Sequence, residues 1–173
     1  MQMLKAKTVP KTTEKGFTLV EVLVSLTIAG AILGVMSAAV LTIMKTSAQN
    51  EEWNMNLRQV QNAGHWITRD ALMAQVVSDN TTGYFLTLSW YDWDNNNNTA
   101  NYVLNGNTLT RSYNGGAATL IAQYVVSDPA FTSCQWNDIE KKLTVKIRAS
   151  LNNNNRYVEK IYEISPRPAT RGG

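Results

Sequence analysis

The amino-acid sequence predicts an α+β fold in which one long N-terminal helix packs on a mostly antiparallel β-sheet head. Three observations carry this. No charged residue lies between Val22 and Met44. Small and apolar residues then recur at Trp53, Leu57, Val60, Gly64, Ile67, Ala71 and Ala74, the four-and-three spacing of an amphipathic helical stripe. From Tyr84 onward, β-rich runs alternate with turns that contain Asn and Gly.

The uncharged segment is long enough to cross a membrane. A spanning helix needs about 20 apolar residues, because it rises about 1.5 Å per residue across about 30 Å of hydrocarbon. Val22–Met44 supplies them, and Phe17-Thr18-Leu19-Val20 extends the run. Lys5, Lys7, Lys11 and Lys15 all lie on its N-terminal side, so the positive-inside rule places residues 1–15 in the cytoplasm and the C-terminal body outside. A secretory signal is the rival reading. Its apolar core usually has about 7–15 residues and is cut after that core. This core is longer, although Thr46-Ser47-Ala48 offers a small-residue cleavage site.

The same four lysines against Glu14 supply the whole formal charge of +3. The rest of the chain is therefore neutral and has no basic stripe to grip phosphates, so the isolated head is not expected to bind nucleic acid. The single cysteine, Cys134, rules out an intramolecular disulfide and a multi-cysteine zinc site, and reads as a small buried apolar residue.

The second half of the helix is expected over 45–77, which lacks proline. Arg58, Gln59, Gln61, Asn62, Arg69 and Asp70 fall largely on its other faces. Joined to the apolar half, the helix would run for roughly 90 Å from Phe17 to Val77. His65, the only histidine, sits beside Trp66 and reads as structural. Residues 78–83 form the loop that ends the helix, and the head occupies 78–173. Strands are expected at Tyr84–Trp93, Ala100–Leu104, Thr108–Tyr113, Ala118–Val126, Leu143–Leu151 and Arg156–Ile164. Asn105-Gly106 and Asn114-Gly115 read as hairpin turns, since both residue types tolerate positive φ, and Asn152–Asn155 closes another hairpin.

Glu21 interrupts the apolar pattern. A carboxylate a few residues inside a span is costly, about 1–3 kcal/mol depending on depth, and usually has a partner. It either reaches water at the headgroups or awaits a positive charge at the same depth. A free α-amino group on Phe17 would supply one if the chain were cut between Gly16 and Phe17. Here Lys15-Gly16-Phe17-Thr18-Leu19-Val20-Glu21-Val22-Leu23-Val24 resembles the processing motif of type IV prepilins and type II secretion pseudopilins. The resemblance implies that residues 1–16 are a basic leader removed by a membrane-embedded prepilin peptidase, which then N-methylates Phe17. It also implies that Glu21 pairs with the N-terminal amine of a neighbouring subunit in a filament. Gly30, Gly34 and Ala38 then form a helix-packing face for residues 17–44. Many members of that family carry a helix-bending proline where this chain has Ala38.

Tyr102-Val103-Leu104-Asn105-Gly106-Asn107-Thr108-Leu109-Thr110-Arg111 is similar to the Y-x-L … L-x-R hairpin of J-type minor pseudopilins and W-type minor pilins. Ile121-Ala122-Gln123-Tyr124-Val125 and Phe131 fit the same pattern. Asp92, Asp94 and Asn96 have the opening spacing of a calcium loop, but an EF-hand needs Gly and Glu where Asn97 and Val103 stand. A solvated Asn-rich turn is the preferred reading, so no metal or cofactor is expected. No Ser-His-Asp set, HExxH, Walker loop or CxxC is present, and the chain is not expected to be an enzyme. The expected role is a minor subunit that nucleates or caps a type II secretion pseudopilus or type IV pilus. Its partners would be other major and minor pilins or pseudopilins, prepilin peptidase, an inner-membrane assembly platform and lipid. Adhesion, motility or DNA uptake as a pilus subunit is the alternative within that class. A membrane-tethered binding protein that never polymerises is the alternative outside it.

Overall fold

A computed structural model describes residues 16–80, 83–151 and 156–166. Among the described residues, helix α1 spans Leu19–Met73 and is followed by eight strands: β1 Val76–Asp79, β2 Leu86–Tyr91, β3 Asn97–Asn105, β4 Thr108–Tyr113, β5 Thr119–Ala122, β6 Ser133–Asn137, β7 Lys142–Ala149 and β8 Val158–Ile164. By internal contacts the chain divides into two compact units, one ending at Thr46 and the other beginning at Ser47.

In the first unit every described side chain is exposed, including the apolar ones from Phe17 to Met44. By length and composition the helix is apolar enough to cross a membrane. Its hydroxyls fit that medium. Ser25 donates to the Glu21 carbonyl at 2.7 Å, Thr27 to Val24 at 2.8 Å and Ser37 to Leu33 at 2.8 Å. Thr42 donates to Ala38 at 2.9 Å, and Thr46 to Thr42 at 3.0 Å. Each of these polar groups is satisfied by the helix's own backbone, so none needs water.

In the second unit, α1 packs on antiparallel sheets of five strands, in the order β1-β2-β3-β4-β5, and three strands, in the order β6-β7-β8. Alternate residues turn inward, as the period of two requires. Leu86, Leu88 and Trp90 of β2, Ala100 and Tyr102 of β3, and Leu143, Val145, Ile147 and Ala149 of β7 share one core with Val60, Ala63, Ile67 and Ala71 of α1. Side chains and backbone tie the two sheets together. Asp79 at the end of β1 accepts a hydrogen bond from the Trp136 N–H at 3.0 Å, and Asn80 donates to the Cys134 carbonyl at 2.9 Å. At the other side, Val125 donates its N–H to Asn107 at 2.9 Å and Val126 donates to Arg148 at 2.9 Å.

The predicted α+β fold is the observed one, with several differences in detail. The helix ends at Met73 rather than Val77, because β-branched Val76 and Val77 pair with Ser89 and Leu88 of β2. Gln75 opens that ladder by donating its N–H to Ser89 at 2.9 Å. Strand β6 is additional, because the alternation of Cys134 and Trp136 with polar neighbours is too short a run to stand out in the sequence. Strand β5 is shorter than its predicted run, because Tyr124 takes a positive φ of 60° as the chain leaves for the second sheet. The β3–β4 turn is centred one residue later than expected. Asn105 still pairs with Thr108, and Gly106 alone in the turn has positive φ, at 56°. That matches a type II′ turn, with glycine in the first central position. Asn114 and Gly115 do both adopt positive φ, and Gly116 donates back to the Tyr113 carbonyl at 2.9 Å. The expected Asn152–Asn155 turn lies outside the described residues.

The helical stripe holds from Val60 to Ala74, whereas Trp53 is half exposed and Leu57 only partly buried. At its centre, Gly64 is required by close approach. A Cβ there would overlap the ring of Tyr162 from β8, whose hydroxyl donates to the Val60 carbonyl at 3.0 Å. Gly64→Ala should therefore destabilise the head, even though alanine favours helix by about 1 kcal/mol. Overpacking costs about 1–3 kcal/mol and the displaced hydroxyl about 1 kcal/mol more. Urea denaturation followed by tryptophan fluorescence should show the loss, and adding Tyr162→Leu should recover most of it.

Candidate processing and assembly site

The start of α1 is built from Gly16, Phe17, Thr18 and Glu21. Gly16 and Phe17 precede the helix, and Phe17 is 82% exposed. A Cβ on Gly16 would meet nothing within 4 Å, so the chain's own fold gives no reason for glycine there. Thr18 is the N-cap. Its hydroxyl oxygen accepts the Glu21 N–H at 3.3 Å, while Glu21 Oε2 faces the Thr18 N–H and hydroxyl, each at 3.4 Å. The reciprocal pattern is a capping box, in which a Thr and a Glu three residues later bond each other's N–H groups at the helix start, the Glu21 N–H being shared with the Thr18 carbonyl at 3.1 Å. A carboxylate in the first turn also suits the positive end of the helix dipole. Glu21 thus has a partner within the chain, which its membrane depth alone does not reveal. The signal is Thr-x-x-Glu itself.

Further along the helix, Gly30 and Gly34 would each meet nothing if given a Cβ, and Ala38 is exposed. The structure brings no described residue of this chain onto that small-residue face.

Residues 11–41 match the family described as "Prokaryotic N-terminal methylation motif". The chain carries a prepilin-type methylation motif. It takes in Lys11, Lys15, Gly16, Phe17, Glu21 and the small residues through Ala38, and supports a pilin-like subunit with an apolar N-terminal membrane segment. No curated protein and no solved structure matches the chain. Residues 1–15, which include the expected basic leader up to Lys15, lie outside the described residues.

Away from the methylation motif, the hairpin that resembles the minor-subunit pattern has a clear physical role. Tyr102 of β3 and Arg111 of β4 are directly paired across the sheet, and both reach Asp70 of α1. The Tyr102 hydroxyl donates to Asp70 Oδ2 at 2.6 Å. Arg111 donates from Nε to Oδ2 at 2.6 Å and from Nη2 to Oδ1 at 3.1 Å. Asp70 and Tyr102 are fully buried. Burial pushes the Tyr102 phenol far above its ordinary range, and the Asp70 charge adds to it. Burial acts to lower Arg111 and is the largest single influence, but the hydrogen bonds and charge of Asp70, together with Tyr102, jointly outweigh it and raise Arg111. The guanidinium also lies 5.0 Å from the centroid of Trp66 and 5.4 Å from that of Tyr113. The sequence pattern puts Asp70 on an outer face of the helix. It lies instead at the centre of the contact between helix and sheet.

The calcium candidates occupy the β2–β3 turn. Asp92 Oδ1 accepts the N–H groups of Asp94 at 3.0 Å and Asn96 at 2.8 Å. Its Oδ2 accepts the side-chain amides of Asn96 at 3.2 Å and Asn98 at 3.3 Å. These donors, the Asn96 N–H first, hold Asp92 below the usual carboxylate range. They also take the lone pairs a cation would need, and Asn96 presents a donor where a metal ligand would present oxygen. Among the described residues no group of three or more His, Cys, Asp or Glu could hold a metal. Cys134 is buried, which pushes its thiol up to about 12, with the Asp79 charge adding to the effect. Such a thiol is a poor nucleophile.

Proposed function

We propose that this protein is a minor pseudopilin or pilin of the J- or W-like type, which helps to nucleate or cap a type II secretion pseudopilus or type IV pilus. The observation that carries the reading is the methylation motif at residues 11–41, on a helix whose apolar side chains are all exposed from Phe17 to Met44 and whose hydroxyls there are self-satisfied. Before assembly, lipid covers that surface. After assembly, the helices of neighbouring subunits cover it, with Gly30, Gly34 and Ala38 allowing close approach. The basic leader keeps the N-terminus in the cytoplasm and the head outside the inner membrane. Prepilin peptidase cuts after Gly16, where the fold makes no demand for glycine, and methylates Phe17. Glu21 then offers its carboxylate to the amine of a neighbouring subunit. The Tyr102–Arg111 hairpin clamped on Asp70 supports the minor-subunit branch, since it gives the resembling residues one shared task.

Intact-mass measurement of the membrane-derived protein tests the processing step. The expected mass is that of a chain beginning at Phe17 and carrying one methyl group. A chain beginning at Gln49, after Thr46-Ser47-Ala48, would make this a secreted protein and overturn the proposal.

A further inference from the structure

The head contains two Asn-Gly dipeptides, identical in sequence and opposite in structural setting. We propose that Asn105-Gly106 is a site of spontaneous deamidation and isoaspartate formation, while Asn114-Gly115 is protected by the fold. In this reaction the backbone nitrogen of the glycine attacks Cγ of the asparagine. A C–N bond forms and the Cγ–Nδ2 bond breaks. Nδ2 leaves as ammonia, carrying the proton lost from the glycine nitrogen. Water then opens the resulting succinimide at either carbonyl, giving aspartate or isoaspartate, with no change of oxidation state.

At Asn105 the side chain is exposed and nothing described holds it. Asn105, Gly106 and Asn107 are exposed at the tip of the β3–β4 hairpin, and the space around Gly106 is open. The Asn105 side-chain amide has no hydrogen-bond partner among the described residues, and its backbone carbonyl accepts the Thr108 hydroxyl at 2.9 Å. Glycine lacks a Cβ that would hinder the attacking nitrogen. At Asn114 the amide is held at both ends. Its Oδ1 accepts the Thr99 N–H at 2.7 Å and its Nδ2 donates to Asn98 Oδ1 at 2.9 Å. The Asn114 N–H is also fixed, donating to the Thr99 carbonyl at 2.8 Å. Both side-chain bonds must break before Cγ can swing to the Gly115 nitrogen.

The product places a new carboxylate at the tip that receives the Val125 N–H on Asn107. Isoaspartate also inserts a methylene into the main chain at the residue paired with Thr108. The hairpin thus carries a chemical record of the protein's age.

The test is peptide mapping by mass spectrometry of the full chain in detergent, aged at mildly alkaline pH, alongside the same protein in urea. In the folded protein Asn105 should react at least about tenfold faster than Asn114, since two hydrogen bonds of ordinary net strength protect the latter. In urea the two sites should react at similar rates. Asn98→Ala, which removes one of the protecting partners, should raise the rate at Asn114. Equal rates in the folded protein, or faster reaction at Asn114, would overturn the proposal.

Discussion

Asp70→Ala is expected to destabilise the head by about 3–5 kcal/mol, the cost of breaking a buried ion pair by removing one partner. The mutation leaves the Arg111 guanidinium, with its side chain only 15% exposed, without its carboxylate partner. The Tyr102 hydroxyl, inside a fully buried residue, loses its acceptor as well. Urea denaturation of the detergent-solubilised chain should show this as a lowered midpoint, reported by Trp66, whose ring lies beside Arg111. The double variant Asp70→Leu with Arg111→Met separates charge from packing. With both charges gone and the volume kept, most of the stability should return. A loss of less than about 1 kcal/mol in Asp70→Ala, near the range of ordinary surface substitutions, would show that the clamp does not hold helix to sheet.

That clamp marks the boundary of what the sequence displays. Helical periodicity places Asp70 beside Ala71 and three residues after Ile67, at the edge of the stripe, but its charge argues for solvent. The partner that makes burial tolerable, Arg111, lies 41 residues away, and only the β3–β4 register brings it opposite Tyr102. Strand β1 is hidden for a similar reason. Val76-Val77-Ser78-Asp79 follows a strong helix with no Gly or Pro to break it, so its two β-branched residues read as a last helical turn although they suit the ladder with β2. Strands β2, β3 and β7 are the most legible, because one face of each is buried and alternation reports it directly. At the N-terminus the motif can be read residue by residue, since Gly16, Phe17 and Glu21 lie in one short stretch whose match does not depend on contacts made by folding.

Glu21→Ala is expected to leave a processed, membrane-resident protein that no longer assembles. On the proposed function, the substitution strands the amine of a neighbouring subunit in lipid, where a charged group costs about 2.5–3.5 kcal/mol on insertion scales. Assembly should then weaken about a hundredfold, at about 1.4 kcal/mol per factor of ten. Alanine also removes the capping box with Thr18, so by itself it cannot say which loss matters. Glutamine separates the two, because its amide oxygen can still accept the Thr18 N–H while its charge is gone. If charge pairing is the function, Glu21→Gln should fail as Glu21→Ala does. If helix capping is the function, Glu21→Gln should assemble normally and only Glu21→Ala should be impaired. Cleavage should persist in both, because the Gly16–Phe17 junction is untouched. The experiment belongs in a strain lacking the native copy, with cross-linking to other subunits read beside secretion or piliation. Full assembly of Glu21→Gln would eliminate the intersubunit ion pair and leave Glu21 as a cap on its own helix.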